Sequence, residues 1–344
     1  MTTAPPLSDT EKVHLFHELM RIRRFQVRAL FHYNAGHMGG FLLLNAGQEG
    51  IPVALKSLMS EHDHLICGPR SIAYALAMGV PASSIMAELF GKLEGCAQGK
   101  GGMFGIFGPQ HHFHGSFASA GAQAPVATGL AFALKYQEKP GVALCILGDG
   151  ATNQGAFHEA LNLASLFNLP VVFVIENNQF SMGTSVPRHS ALKTNFAQRA
   201  ENYDMAWDLI EDGSDLLLLR DRLAPALERA RREHRPTVVE IKTYRYYGFT
   251  IADANAKRYR TSDEIEFEKK HHDPLTNWKN QLIACQLLTE KEAFDLSKHY
   301  LKEADAAAVL AKTSPPPSAD DLLKHIYWEV DHQTGPLSGQ YFFE

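Results

Sequence analysis

Two apolar runs, Val142 to Leu147 and Val171 to Ile175, constrain this chain more than any other feature. Each has the length of a strand, and neither alternates with polar residues. Between them Ala156, Phe157, Ala160, Leu161, Leu163, Ala164 and Phe167 recur at three- and four-residue steps, which marks one face of a helix. Strand, helix and strand in this order predict a right-handed βαβ unit with neighbouring parallel strands. The first run ends in Gly148-Asp149-Gly150 and the second leads to Asn177-Asn178. Both polar clusters then fall at the carboxyl ends of adjacent strands, where ligands bind in open α/β sheets.

The residue types at those ends specify a chemistry. Gly148 and Gly150 let backbone amides approach phosphate oxygens closely. Asp149 offers a carboxylate oxygen, Asn178 a neutral amide oxygen, and Phe180 its main-chain carbonyl. Mg²⁺ takes about six oxygens, usually one or two of them carboxylate and the rest from substrate phosphates and water. The paired clusters therefore predict a metal-bound diphosphate, with Asp149, Asn178 and Phe180 as metal ligands. A lone Gly-Asp-Gly describes an ordinary turn equally well. The flanking strands and the intervening helix separate the two readings.

Composition narrows the class. A chain of 344 residues, 45% hydrophobic and 21% charged, can bury a sizeable core without staples. The formal net charge of −5 argues against nucleic acid as a general partner. No apolar run approaches the length of a membrane span, so no membrane association is expected. Met1 to Pro6 shows no secretory pattern, and the absence of arginine before residue 21 speaks against a transit peptide. Cys67, Cys96, Cys145 and Cys285 are widely spaced, which suits a reducing compartment and neither zinc nor a disulfide framework. His111-His112 with His114 invites a metal reading, but structural zinc sites use other spacings and further ligands.

Along the chain, residues 1–10 read as an arm and 11–35 as an amphipathic helix. Residues 36–50 form a Gly-rich loop opening into a helix. A short helix is expected over 83–91, a long loop over 95–125, and a Gly/Ala-rich helix over 121–137. Helix 215–233 leads to strand Val238–Thr243, then a second long loop over 245–263. Residues 263–313 read as helical. Pro315-Pro316-Pro317 makes a stiff break. A last helix is expected over 319–329, followed by the aromatic tail Tyr341-Phe342-Phe343-Glu344, which reads as a docking element for a partner subunit.

These motifs together resemble a known family. Gly148-Asp149-Gly150-Ala151-Thr152-Asn153-Gln154-Gly155, Glu176-Asn177-Asn178 and Met182-Gly183-Thr184-Ser185 are similar to the thiamine-diphosphate signature of the 2-oxo acid dehydrogenases. More narrowly they resemble the alpha subunits of the decarboxylating component of the pyruvate dehydrogenase complex. Arg21-Ile22-Arg23-Arg24-Phe25, Gly47-Gln48-Glu49, Glu88-Leu89-Phe90-Gly91-Lys92, Gly99-Lys100-Gly101-Gly102, Gly121-Ala122-Gln123, Thr243-Tyr244-Arg245-Tyr246 and Tyr259-Arg260-Thr261 follow in the family's order. The resemblance covers nearly the whole chain.

It implies an α/β fold: the doubly wound parallel sheet of thiamine-diphosphate-binding proteins, with a helical C-terminal extension. The implied parts are an arm and helix over 1–35, a binding domain over 36–262 and a helical region over 263–344. The implied cofactors are thiamine diphosphate and Mg²⁺. Arg70, Ala118, Ala120, Gly148, Asp149, Gly150, Ala151, Asn178 and Phe180 would contact them. The implied partners are a beta subunit in an α2β2 assembly and a lipoyl-bearing acyltransferase, in the cytoplasm of a bacterial-type cell. Pyruvate is the implied substrate, with branched-chain 2-oxo acids and acetoin as near alternatives. The family places a tyrosine before the diphosphate arginine, where this chain has Pro69. It also carries histidines where this chain has Leu43, Ile72, Gly105 and Phe249. The expected consequence is an apolar pocket of Leu43, Ile72, Phe104 and Phe249, with impaired turnover or a structural or regulatory role.

Overall fold

The computed structural model of the chain describes residues 4–253 and 256–325. Its strands are β1 (His64–Cys67), β2 (Phe113–Ser116), β3 (Ala143–Gly148), β4 (Val171–Asn177), β5 (Phe180–Ser181), β6 (Thr184–Ser185), β7 (Ala206–Ile210) and β8 (Thr237–Lys242). Six of them form one parallel sheet in the order β2-β1-β3-β4-β8-β7, and β5 and β6 form an antiparallel hairpin. The helices before β3 are α1 (Asp9–Asn34), α2 (Gly50–Lys56), α3 (Ile72–Ala77), α4 (Ala82–Leu89) and α5 (Gln123–Tyr136). Those between β3 and β8 are α6 (Gly155–Leu166), α7 (Val186–His189) and α8 (Leu216–Glu233). After β8 come α9 (Ala256–Tyr259), α10 (Ser262–His271), α11 (Pro274–Ala284) and α12 (Glu290–Thr313).

Successive side chains of a strand point to opposite faces of its sheet, and the two cores divide accordingly. Leu144, Ile146, Val172, Val174, Val239 and Ile241 join the larger core under α1, α2, α3, α4, α8 and α12. Their alternates, Cys145, Leu147, Phe173, Ile175 and Val238, join the smaller core under α5 and α6. The apolar runs lack alternation because both faces are covered. Helix α6 seats Phe157, Ala160, Leu161 and Ala164 on the sheet, so the sequence spacing describes its buried stripe. Strands β3 and β4 pair in register from Ala143 with Val171 to Gly148 with Glu176. The chain is thus doubly wound around the βαβ unit expected from its sequence.

Several elements depart from the sequence reading. Inside the expected loop 95–125 lies β2, an edge strand that pairs with β1 in irregular register. Its sequence, Phe113-His114-Gly115-Ser116, carries no apolar run to reveal it. Helix α1 begins at Asp9, because Ser8 and Glu11 form a reciprocal capping box. The expected arm is also tied down, with the carbonyl of Pro5 accepting from Arg220 Nη2 at 2.9 Å. The expected helix 319–329 is, in its described part, a single 3₁₀ turn over Ala319–Leu323. Asp321 folds back onto the Ser318 amide and hydroxyl, each at 2.7 Å, and tightens that turn. The aromatic tail lies outside the described residues. No described helix is long and apolar enough to cross a membrane.

The Gly-rich segment after α4 owes its shape to one carboxylate. Glu88 is fully buried and accepts from the amides of Ala97 at 2.7 Å and of Gly99, Gly101 and Gly102 at 2.9 Å. These amides have no ladder to join, so the carboxylate takes the place of a strand. Removing it strands charge-assisted bonds that are individually strong. Glu88→Ala should cost about 3 kcal/mol in urea unfolding, with amide exchange accelerated selectively at 97–102. Unchanged exchange there would contradict this account of the loop.

Candidate cofactor and metal site

The path from β1 runs through α3 and α4 to β2 on one side, and the path from β3 runs through α6 to β4 on the other. The strand order therefore reverses between β1 and β3, and a crevice opens at their carboxyl ends. A cavity of about 240 Å³ lies there. Cys67 to Arg70 line it from β1, Gly148 to Ala151 from β3, and Glu176 and Asn178 from β4. Phe180 to Met182 come from the hairpin, and Arg245 and Phe249 from the segment after β8. All nine residues expected to contact the cofactor, Ala118 and Ala120 included, line this one cavity.

Local bonds fix the expected metal ligands. Asn178 donates through Nδ2 to Gln48 Oε1 at 3.2 Å, which turns its Oδ1 the other way, toward Arg245. Asp149 is 2% exposed and opens a 3₁₀ turn over Asp149–Asn153, closed by Thr152 Oγ1 on the Asp149 carbonyl at 2.6 Å. His189 Nε2 stands 3.1 Å from Asp149 Oδ2. The Phe180 carbonyl accepts from Arg245 Nη1 at 2.9 Å. Gln48, His189 and Arg245 are roles that spacing alone did not assign. They come from the Gly47-Gln48-Glu49 turn, the end of α7 and the segment after β8.

The motifs at a distance turn out to be braces for these groups. Glu49 is fully buried, and its Oε2 accepts from Arg23 Nη2 at 2.9 Å and from the Gly47 amide at 2.8 Å. Gly47 has φ +98°, and a Cβ there would meet the Tyr244 carbonyl at 2.4 Å. Only glycine lets the 43–48 loop lie this close to the segment carrying Arg245. The Tyr246 amide donates to the Ala46 carbonyl at 2.9 Å across the same contact.

Two cations dominate the electrostatics. Arg70 and Arg245 are 9% and 1% exposed, and both line the cavity. Arg70 donates to the carbonyls of Leu44 and Phe249, which carry no charge to balance it. Burial, and then the neighbouring Arg245, pull the Arg70 guanidinium down to about 9. Burial lowers Arg245 as well. Across the cavity the buried Glu176 is raised, mainly by burial, and accepts from Tyr74 Oη at 2.6 Å. The two buried guanidinium groups share one cavity wall with Asp149 and Glu176, and a bound anion would complete their compensation.

The four positions at which the resemblance implies histidine do not fall together. Leu43 and Phe249 line the cavity. Ile72 opens α3 and points wholly into the larger core, off the cavity wall. Gly105 packs beside Glu88, where a Cβ would meet Oε1 at 3.2 Å. Phe104 rests against Phe41 at 5.9 Å and is likewise not part of the wall. The expected apolar pocket is thus reduced to Leu43 and Phe249. The His111 run contributes His112 and His114 to a cluster with His64. His64 stacks on His112 at 4.5 Å and lies 2.7 Å from His114 Nε2. Among the described residues, no group of three or more His, Cys, Asp or Glu is arranged to hold a metal ion.

The model of the dehydrogenase E1 component family matches residues 17–320 of this chain. The chain belongs to that family. It is 36% identical over 324 residues to the pyruvate dehydrogenase E1 component subunit alpha of Rhizobium meliloti, covering 94% of this chain and 92% of that one. It is 37% identical over 317 residues to the protein of the same name in Zymomonas mobilis, covering 92% and 88%. The mitochondrial type II alpha subunit of Ascaris suum is 35% identical over 323 residues, covering 94% and 81%. In this E1 chain the cavity depends on a close approach at Gly150. A Cβ there would stand 2.1 Å from Ser181 Oγ and 2.5 Å from Ser181 Cβ. Gly150→Ala should cost about 1–3 kcal/mol in urea unfolding, and Gly150→Ala combined with Ser181→Gly should recover most of it. Additive losses in that cycle would refute the contact.

Proposed function

We infer that the chain is the alpha subunit of a pyruvate dehydrogenase E1 component, acting in thiamine-diphosphate-dependent oxidative decarboxylation of pyruvate with acyl transfer to lipoyl groups. The names of its relatives support this reading over nearly their whole length. The observation that carries it is the cavity at the switch point, where three neutral or anionic oxygens and two buried arginines converge. The donor set suits the proposed metal. It is all oxygen with a single carboxylate, the type that Mg²⁺ takes when phosphates complete its shell. Asp149, Asn178 and the Phe180 carbonyl would hold Mg²⁺. Arg70 and the amides of Gly148 to Ala151 would address the diphosphate, with Ala118 and Ala120 on the wall. Every one of these residues falls within 36–262, the proposed binding domain.

Thiamine diphosphate, when bound, supplies the carbanion chemistry that decarboxylates a 2-oxo acid. The chain itself contributes placement and charge. Leu43 and Phe249 bear no group that can carry a proton, so this wall excludes water and leaves proton transfer to other residues. A beta subunit in an α2β2 assembly is the proposed source, with other residues of this chain such as Tyr247 as the alternative. Phe132, Tyr136, Leu166 and Phe167 on α5 and α6 are exposed and form an apolar surface that a partner subunit would cover. The lipoyl-bearing acyltransferase is the proposed acceptor. The proposed setting is the cytoplasm, where its free cysteines stay reduced.

Two outcomes test this reading. Asp149→Ala should abolish Mg²⁺-dependent thiamine diphosphate binding, measured by calorimetry on the chain assembled with its beta subunit. Unchanged affinity would refute the ligand assignment. Pyruvate decarboxylation with an artificial electron acceptor should be slow in the native assembly. Leu43→His with Phe249→His should raise it by about 10²- to 10⁴-fold, the usual worth of one acid–base group. A native rate already at about 1–10³ s⁻¹, ordinary for an enzyme, would show that the proton carrier lies elsewhere.

A further inference from the structure

Two of the three oxygens assigned to the metal are already bonded to a cation of the chain. Arg245 Nη1 donates to Asn178 Oδ1 at 2.7 Å and to the Phe180 carbonyl at 2.9 Å. Its Nη2 donates to the Met182 carbonyl and lies 3.3 Å from Tyr259 Oη. The side chain is among the largest fully buried ones in the molecule. The oxygens of Asn178, Phe180, Met182 and Tyr259 that accept from its guanidinium are all neutral, while the charge of Asp149 acts on it through space. A turn could be held by a neutral donor without the cost of burying a charge. A guanidinium that spans the metal ligands, with the third ligand's carboxylate nearby, occupies the place of a divalent ion.

Resting on the reading of this cavity as a metal–diphosphate site, we propose that Arg245 is its internal counter-cation. Without metal its guanidinium holds Asn178 Oδ1 and the Phe180 carbonyl in place of the divalent ion. It yields that place when metal and diphosphate bind together. Two consequences follow from the charges. The ligand oxygens are kept in order without metal, since Asn178 is fixed on one side by Gln48 and on the other by Arg245. A divalent ion alone must enter beside a buried cation, which opposes it. A diphosphate brings the negative charge that lets both cations stay. Arg245 thus couples metal binding to diphosphate binding, and it is a positioning residue for the ligand set.

The test counts free Mn²⁺ by electron paramagnetic resonance on the full chain assembled with its beta subunit, with and without thiamine diphosphate. The native assembly should bind Mn²⁺ about 100-fold more weakly without the diphosphate than with it, toward the upper end of usual coupling between sites. Arg245→Gln should bind Mn²⁺ alone at least about tenfold more tightly than the native chain, and Arg245→Lys, which keeps the charge, should not. A residue with only a structural role would lower metal affinity when removed, so the rise is diagnostic. Equal Mn²⁺ affinity in the native and Arg245→Gln proteins, with normal binding in the presence of diphosphate, overturns the role of Arg245 alone. No Mn²⁺ binding even with thiamine diphosphate overturns the cofactor reading as well. If Arg245→Gln does not assemble, the native protein decides, because equal Mn²⁺ affinity with and without the diphosphate overturns the proposal.

Discussion

The burial of Arg70 and Arg245 side by side at the carboxyl edge of the sheet is the constraint from which the rest of this structure can be understood. Each lies in a medium where a bare charge is costly, and neither is hydrogen-bonded to a carboxylate. They are tolerable because the parallel sheet presents its strand ends, with free amides and acidic side chains, to the same cavity. Asp149 and Glu176 supply partial compensation, and a bound anion would supply the remainder. The neighbouring elements read as supports for this arrangement. The Arg23–Glu49 pair fixes the loop that carries Leu43 and Gln48. Arg260 holds the backbone of Arg245 and Tyr247 through their carbonyls. Asp253 takes the Phe249 amide at 3.0 Å and the Tyr259 hydroxyl at 2.6 Å, closing the segment over the site.

The sheet also explains why the chemistry is confined to one edge. Residues of β3 and β4 up to Leu147 and Ile175 alternate between the two cores, so the functional side chains are left to the strand ends. On these two strands polar side chains begin with Glu176 and Asn177, the last two residues of β4, and follow Gly148 with Asp149. The same division makes the site rigid. Asp149 and Asn178 sit one residue past strands that are anchored on both faces, and the hairpin bearing Phe180 packs on Gly150 without room for a methyl group.

Much of this was legible in the sequence, for physical reasons that differ by element. Strands β3 and β4 and helix α6 declare themselves because full burial forces continuous apolar runs and a regular stripe. Their polar ends carry the ligand types openly. Strand β2 was hidden because an edge strand of four residues with a glycine and a histidine needs no apolar run. The Ser8–Glu11 capping box extends α1 beyond its apolar stripe, so the stripe alone places the start of the helix too late. Ile72 was expected on the cavity wall, since resemblance fixes position along the chain and not the direction a side chain takes from a helix. Arg245 appeared only as part of a family string. Its contact with Asn178 joins residues 67 positions apart, which no local pattern encodes.

The central claim is that one oxygen set, Asp149, Asn178 and the Phe180 carbonyl, receives the metal of a diphosphate cofactor. The most direct measurement is the anomalous scattering of Mn²⁺ in crystals of the assembly grown with thiamine diphosphate. One manganese peak is expected in contact with those three residues and with the diphosphate, whose other oxygens would face Arg70. A peak at any other group of residues, or a diphosphate bound away from Gly148 to Ala151, would contradict it.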